Sequence, residues 1–111
     1  MRQWEIWEFP FPSPNDPHMF VILSPTRLCG DANFEAVNGL LCTTVRPIGR
    51  ASRPHEVFLD AADGLDWLTA VRCNVVFYFA KAAAGSHRGL VGPVRRREIA
   101  RRINATLELP A

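Results

Sequence analysis

Six side chains in the first half of the chain are of the types that phosphate chemistry uses. His18 carries an imidazole, a side-chain type that can serve as a general base or acid. Thr43 and Thr44 offer adjacent hydroxyls able to donate to a phosphate oxygen. Arg46, Arg50 and Arg53 follow closely, each with a planar fork suited to phosphate or carboxylate. Each also has a plainer reading. A histidine at a loop end can simply face solvent, threonine suits strand ends by propensity alone, and loop arginines are often only solvated. His55 and His87 read as surface residues. Trp4, Trp7, Trp67, Phe77, Tyr78 and Phe79 add flat rings on which bases can stack. In a chain of 111 residues, however, most large aromatics fill the core.

These residues must be carried by short strands. Residues 3–9 alternate apolar and charged and read as a first strand. Pro10, Pro12, Pro14 and Pro17 forbid regular pairing, so residues 10–17 are expected to form a stiff loop. The apolar run 19–23 reads as a buried strand that delivers His18 at its start. Residues 24–34 read as loop. A third strand over 36–44 ends on the threonine pair, with Gly39 marking a bulge or a close backbone approach. The arginine loop leads to a fourth strand over 56–60, and Asp63-Gly64 marks a turn. Strands follow over 69–72 and 75–80, either separate or as one long bent strand. A small-residue loop spans 81–88, and a short strand spans 88–91. Gly92-Pro93 opens a helix whose apolar stripe is Ile99, Ile103 and Leu107. Five to seven short strands and one C-terminal helix describe a mainly β fold: a small, strongly bent, barrel-like sheet with a helix plugging one side.

Composition narrows the function classes. The chain is long enough for one domain, 1–111, and too short for a second core. With 48% hydrophobic and 22% charged residues it is expected to be globular rather than disordered. No apolar run approaches a membrane span, and MRQWEIWEF has no signal-peptide core, so a cytoplasmic location and no membrane partner are expected. Cys29, Cys42 and Cys73 are odd in number and lack metal-ligand spacing, which reads as free thiols with no metal and no cofactor. Net charge is +2, split as −2 over residues 1–87 and +4 over 88–111. All but one of the thirteen basic residues are arginine, which makes a polyanion or an acidic partner plausible.

Several segments, in order, resemble the MazF/PemK toxins of bacterial toxin–antitoxin pairs. Gln3-Trp4-Glu5-Ile6-Trp7 resembles the family's opening strand, and Phe20-Val21-Ile22-Leu23-Ser24-Pro25 resembles its "A-V-V-L-S-P" strand end. Cys42-Thr43-Thr44 is similar to "P-x-T-T/S", and Pro54-His55-Glu56-Val57-Phe58-Leu59 to "P-F-E-V-x-L". Asp63-Gly64-Leu65 with Val71-Arg72-Cys73-Asn74, then Gly89-Leu90-Val91 and Glu98-Ile99, complete the pattern over nearly the whole chain.

The resemblance implies an SH3-like barrel of the CcdB/MazF type working as a homodimer. It implies a metal-independent endoribonuclease that cuts single-stranded RNA at short sequences by 2′-hydroxyl attack. It also implies a small acidic antitoxin as cellular partner. The family's phosphate-holding threonine carries over to Thr43, with Thr44 beside it, while the family's arginine is replaced by His18. His18 and Thr43 are therefore the expected catalytic pair, and Thr44, Arg46, Arg50 and Arg53 the expected RNA-phosphate contacts. Two further departures fall nearby: Asn74-Val75 replaces the family's "D-Q", and prolines replace its first glycine-rich loop. The alternatives are a catalytically degenerate barrel that binds proteins, and a CcdB-like toxin with a protein target.

Overall fold

The structure, a computed structural model, describes residues 1–110. Ala111, the last residue of the expected 1–111 domain, lies outside the described residues. Seven strands form one sheet: β1 (Glu5–Ser13), β2 (Asp16–Ile22), β3 (Ala36–Thr44), β4 (Glu56–Leu59), β5 (Thr69–Arg72), β6 (Phe77–Ala80) and β7 (His87–Leu90). A single helical turn, α1 (Thr26–Cys29), follows β2, and α2 (Pro93–Thr106) closes the chain. The sheet runs β4-β5-β3-β2-β1-β7, with β6 also paired to β3, and every pairing is antiparallel.

β3 curls the sheet. One edge pairs with β2 through Gly39–Cys42, while the other meets β5 at Cys42–Thr44 and β6 at Ala36–Gly39. Gly39 is paired on both sides. A Cβ there would stand 3.2 Å from the Val21 carbonyl and 3.3 Å from Phe20 Cβ, so the expected close backbone approach is present.

Strand alternation divides the apolar side chains between two cores. Ile6, Val21, Leu40, Cys42, Val57, Val71 and Val91 pack on one face, covered by Ile99 of α2 with Ile103 beside it. Phe9, Phe20, Ile22 and Val37 pack on the other, where Phe11, Phe77 and Phe79 join them. Phe20 is the hub, within 4.7–6.0 Å of four other phenyl rings in edge-on contact. The run 19–23 is apolar throughout because β2 faces both cores.

The proline stretch is a correction. Residues 10–13 continue β1, Asp16 and Pro17 begin β2, and only Pro14-Asn15 forms the turn. β7 pairs with β1 as far as Trp7, and the Glu8 N–H still donates to the Ser86 carbonyl at 3.0 Å; beyond Glu8 the outer edge of β1 needs no N–H donors. Pro10 and Pro12 sit there exposed, and the register shift between Phe9 and Ser13 absorbs the irregularity. Phe11 anchors the segment, 5.0 Å from Phe77.

Smaller differences follow similar logic. α1 forms inside the expected 24–34 loop. Cys73-Asn74 turns the chain between β5 and β6, and β6 begins at Phe77, leaving Val75 and Val76 exposed. A 3-10 turn, Lys81–Ala83, interrupts the expected loop before β7. Leu107 leaves the helix stripe because α2 ends at Thr106, and it is 40% exposed.

An ionic clamp joins α2 to the sheet. Buried Asp63 accepts from Arg95 Nη1 at 2.5 Å, from Gly92 N at 2.8 Å and from Asp60 N at 3.1 Å. Arg95 Nη2 also donates to Asp60 at 3.0 Å, which holds the Asp60 carboxyl below its usual range.

Candidate functional site

A single transverse row sets the site. Glu8 pairs with Met19, Met19 with Cys42, Cys42 with Val71, and Val71 with Val57. The inner part of this row is core; its outer end, Glu8-Met19-Cys42, floors a cleft of about 410 Å³. Because Met19 faces Cys42, the next residues on the two strands, His18 and Thr43, both reach the cleft wall. Thr44, Arg46, Trp67 and Arg88 complete it.

His18 is oriented by main chain. Its Nδ1 lies 2.8 Å from the Phe11 carbonyl and 3.3 Å from the Asp16 carbonyl. Carbonyls only accept, so Nδ1 carries the proton and the neutral ring keeps a lone pair on Nε2. This is the tautomer a general base requires.

Thr43 closes a polar row across β3, β5 and β4. Arg72 Nε donates to Thr43 Oγ1 at 3.3 Å and stands 3.7 Å from Glu56 Oε2. With its oxygen so engaged, the Thr43 hydroxyl proton points to an acceptor other than Arg72. Thr44 and Arg46 are exposed at the strand end.

The structure thus brings four of the six expected residues, His18, Thr43, Thr44 and Arg46, to one cleft. Arg50 and Arg53 stand outside it. Arg50 grips the buried carboxylate of Glu56 through both terminal nitrogens, at 2.7 and 2.9 Å, and its Nε donates to the Arg46 carbonyl at 2.9 Å. Its guanidinium also lies 5.3 Å over the Phe58 ring. Those bonds lower the Glu56 pKa to about 2. Arg53 contributes its main-chain N–H to the same carboxylate at 2.9 Å, while its side chain stays exposed.

Sequence reasoning missed the Glu8–Arg88 pair, 2.6 Å apart and lining the cleft. The alternation of β1 places Glu8 on the face of Ile6 and so was readable. Arg88 reaches it only through the β1–β7 pairing, which joins residues eighty positions apart. His87, expected at the surface, is exposed and stacks on Trp7 at 4.9 Å. The three cysteines are buried, and burial pushes the Cys42 thiol up to about 12 and Cys73 to about 11, which makes them poor nucleophiles. Among the described residues, no cluster of three or more His, Cys, Asp or Glu side chains is placed to hold a metal ion. No helix among them is long and apolar enough to cross a membrane.

No protein-family model matches the sequence, and no curated protein matches it. Solved structures match across the whole fold. An endoribonuclease in complex with its cognate antitoxin, from a mycobacterial species, superposes with a TM-score of 0.81 at 18% identity, over 100% of this chain and 98% of that one. The Mycobacterium tuberculosis toxin MazF-mt6 gives 0.80 at 18% identity, over 96% and 99% of the two chains. A MazE–MazF complex from Deinococcus radiodurans gives 0.76 at 14% identity, over 99% and 97%. A curled antiparallel sheet with one C-terminal helix, superposing end to end on these proteins, is the fold of the MazF toxins.

Proposed function

We propose that this chain is the toxin of a toxin–antitoxin pair, a metal-independent endoribonuclease acting on single-stranded RNA in the cytoplasm. The observation that carries the reading is the convergence of an Nδ1-bonded His18, the Thr43 and Thr44 hydroxyls and the Arg46 guanidinium in one open cleft. His18 Nε2 takes the proton of the substrate 2′-hydroxyl. The 2′-oxygen attacks the adjacent phosphorus, and the bond to the 5′-oxygen breaks. The leaving oxygen takes a proton from solvent, so the products are a cyclic phosphate and a 5′-hydroxyl. Thr43 and Thr44 donate to the non-bridging oxygens and Arg46 offsets their charge, stabilising the phosphorane. DNA lacks the nucleophile and is not cut.

The structural neighbours include an endoribonuclease in complex with its cognate antitoxin and MazE–MazF complexes. By that likeness, and with arginines concentrated after residue 87, we propose a small acidic antitoxin that competes with RNA for the cleft, and a homodimer as the working form. The test is incubation of a long single-stranded RNA with the purified protein in EDTA, followed by sequencing of the new 5′ ends. Discrete cuts carrying 5′-hydroxyls, lost in Thr43→Ala, are expected. No cutting at high enzyme concentration overturns the nuclease reading and favours a protein-binding role.

A further inference from the structure

We infer that the indole of Trp67 is a stacking platform for one unpaired base of the RNA, the base adjoining the phosphate held at Thr43 and Arg46. The inference rests on the ribonuclease reading of this cleft. Six aromatic residues had the chemistry for stacking, and the fold separates them. Phe77 and Phe79 are locked in the phenyl cluster, Trp4 packs against the first core, and Trp7 is covered by His87. Tyr78, 73% exposed, lies away from the cleft. Trp67 lines the cleft and is 46% exposed, an open apolar ring beside polar groups built for phosphate.

Its backbone is anchored at its own carbonyl and at the residue that follows. The Thr69 hydroxyl donates to the Trp67 carbonyl at 3.1 Å, and Val45 N–H donates to the Leu68 carbonyl at 3.2 Å. The segment is therefore pinned to the strand end that bears Thr43 and Thr44, and the ring is presented without ordering a mobile loop. A recess of about 70 Å³, with Met19 and Leu65 in its wall and Asp66 and Arg88 beside them, adjoins the indole. It has room for the exocyclic group of a base rather than for a whole ring. Every base has a π face, so Trp67 supplies affinity at this position whatever the base.

The test uses a 2′-O-methyl oligonucleotide, which lacks the nucleophile, so that binding is read without cutting. A single abasic position is walked along it. Trp67→Leu, as apolar as the native residue but not aromatic, is expected to bind about 5- to 150-fold more weakly. Trp67→Phe is expected to keep most of the affinity. The wild type is expected to lose a similar factor at one abasic position, where Trp67→Leu loses nothing further. Equal affinity of Trp67→Leu and wild type overturns the inference, as does the absence of any position coupled to residue 67. A change in oligomeric state with unchanged oligonucleotide binding also overturns it, by placing Trp67 at a protein interface. Wild-type protein that cuts RNA without the coupling sinks this inference alone; coupling without cutting sinks the nuclease reading alone.

Discussion

His18 is held through one ring nitrogen and available at the other, while Thr43 is held through its oxygen and available through its proton. Both are arrangements in which a neighbouring group fixes the ring tautomer or the direction of the hydroxyl proton. His18→Ala is expected to lower single-turnover RNA cleavage by about 10²–10⁴-fold, the range for loss of a general base, without changing the melting temperature. Thr43→Ala is expected to lower it by about 10²–10³-fold, as for loss of a phosphorane donor, with Thr43→Ser close to wild type. Arg50 behaves differently. It and Glu56 are a structural pair, and Glu56 titrates near 2 instead of its usual 4.5. A carboxylate with a lower pKa folded than unfolded stabilises the fold fully above about pH 4.5, and that contribution is lost as pH falls toward 2. Glu56→Gln is expected to cost about 3 kcal/mol at pH 7 and to flatten the fall in melting temperature between pH 4.5 and 2. Fluorescence melts over a pH series check both.

At the scale of elements, what could be read from the sequence was local. β3 and β5 were readable to the residue, because alternation and the flanking turns bound them on both sides. The proline hairpin was not, since whether a proline breaks a strand depends on whether a neighbour needs its N–H. That is decided by where β7 stops along β1. For the same reason Thr43 could be placed at a strand end, whereas Arg88 could not be placed in the cleft. The turn that ends at Gly64 is likewise fixed from afar. A Cβ on Gly89 of β7 would overlap the main-chain carbonyl of Asp63, the residue that clamps α2. Gly89→Ala is expected to cost about 2–3 kcal/mol in urea unfolding, because backbone rather than a flexible side chain must give way. Gly85→Ala, whose nearest neighbour is 3.5 Å off at Glu8 Cβ, is the near-neutral control.

For the molecule as a whole, the question is how charge is distributed over a nearly neutral chain. Arg50, Arg88 and Arg95 are each paired with a carboxylate, while Arg46, just past the β3 end, and Arg53, in the loop before β4, stay exposed. RNA affinity is therefore expected to fall with salt, with a slope of about 0.7 per phosphate neutralised. Arg46→Ala is expected to flatten that slope by about one such step, and Arg53→Ala to change it less, since Arg53 lies outside the cleft. Filter binding of an uncleavable oligonucleotide at several salt concentrations measures this. The same series run with an acidic competitor peptide is expected to show stronger competition at low salt.

The atom that orients His18 belongs to the Phe11 main chain, not to a side chain. No point substitution deletes a carbonyl. A lineage can therefore exchange the residue at position 18 in one mutational step, with no second change elsewhere to re-establish its support. Heritable variation in the reacting group is in this way uncoupled from the scaffold. Homologues that share this hairpin and cut RNA are expected to carry at position 18 a side chain able to do the same proton chemistry, while keeping the aromatic anchor at position 11.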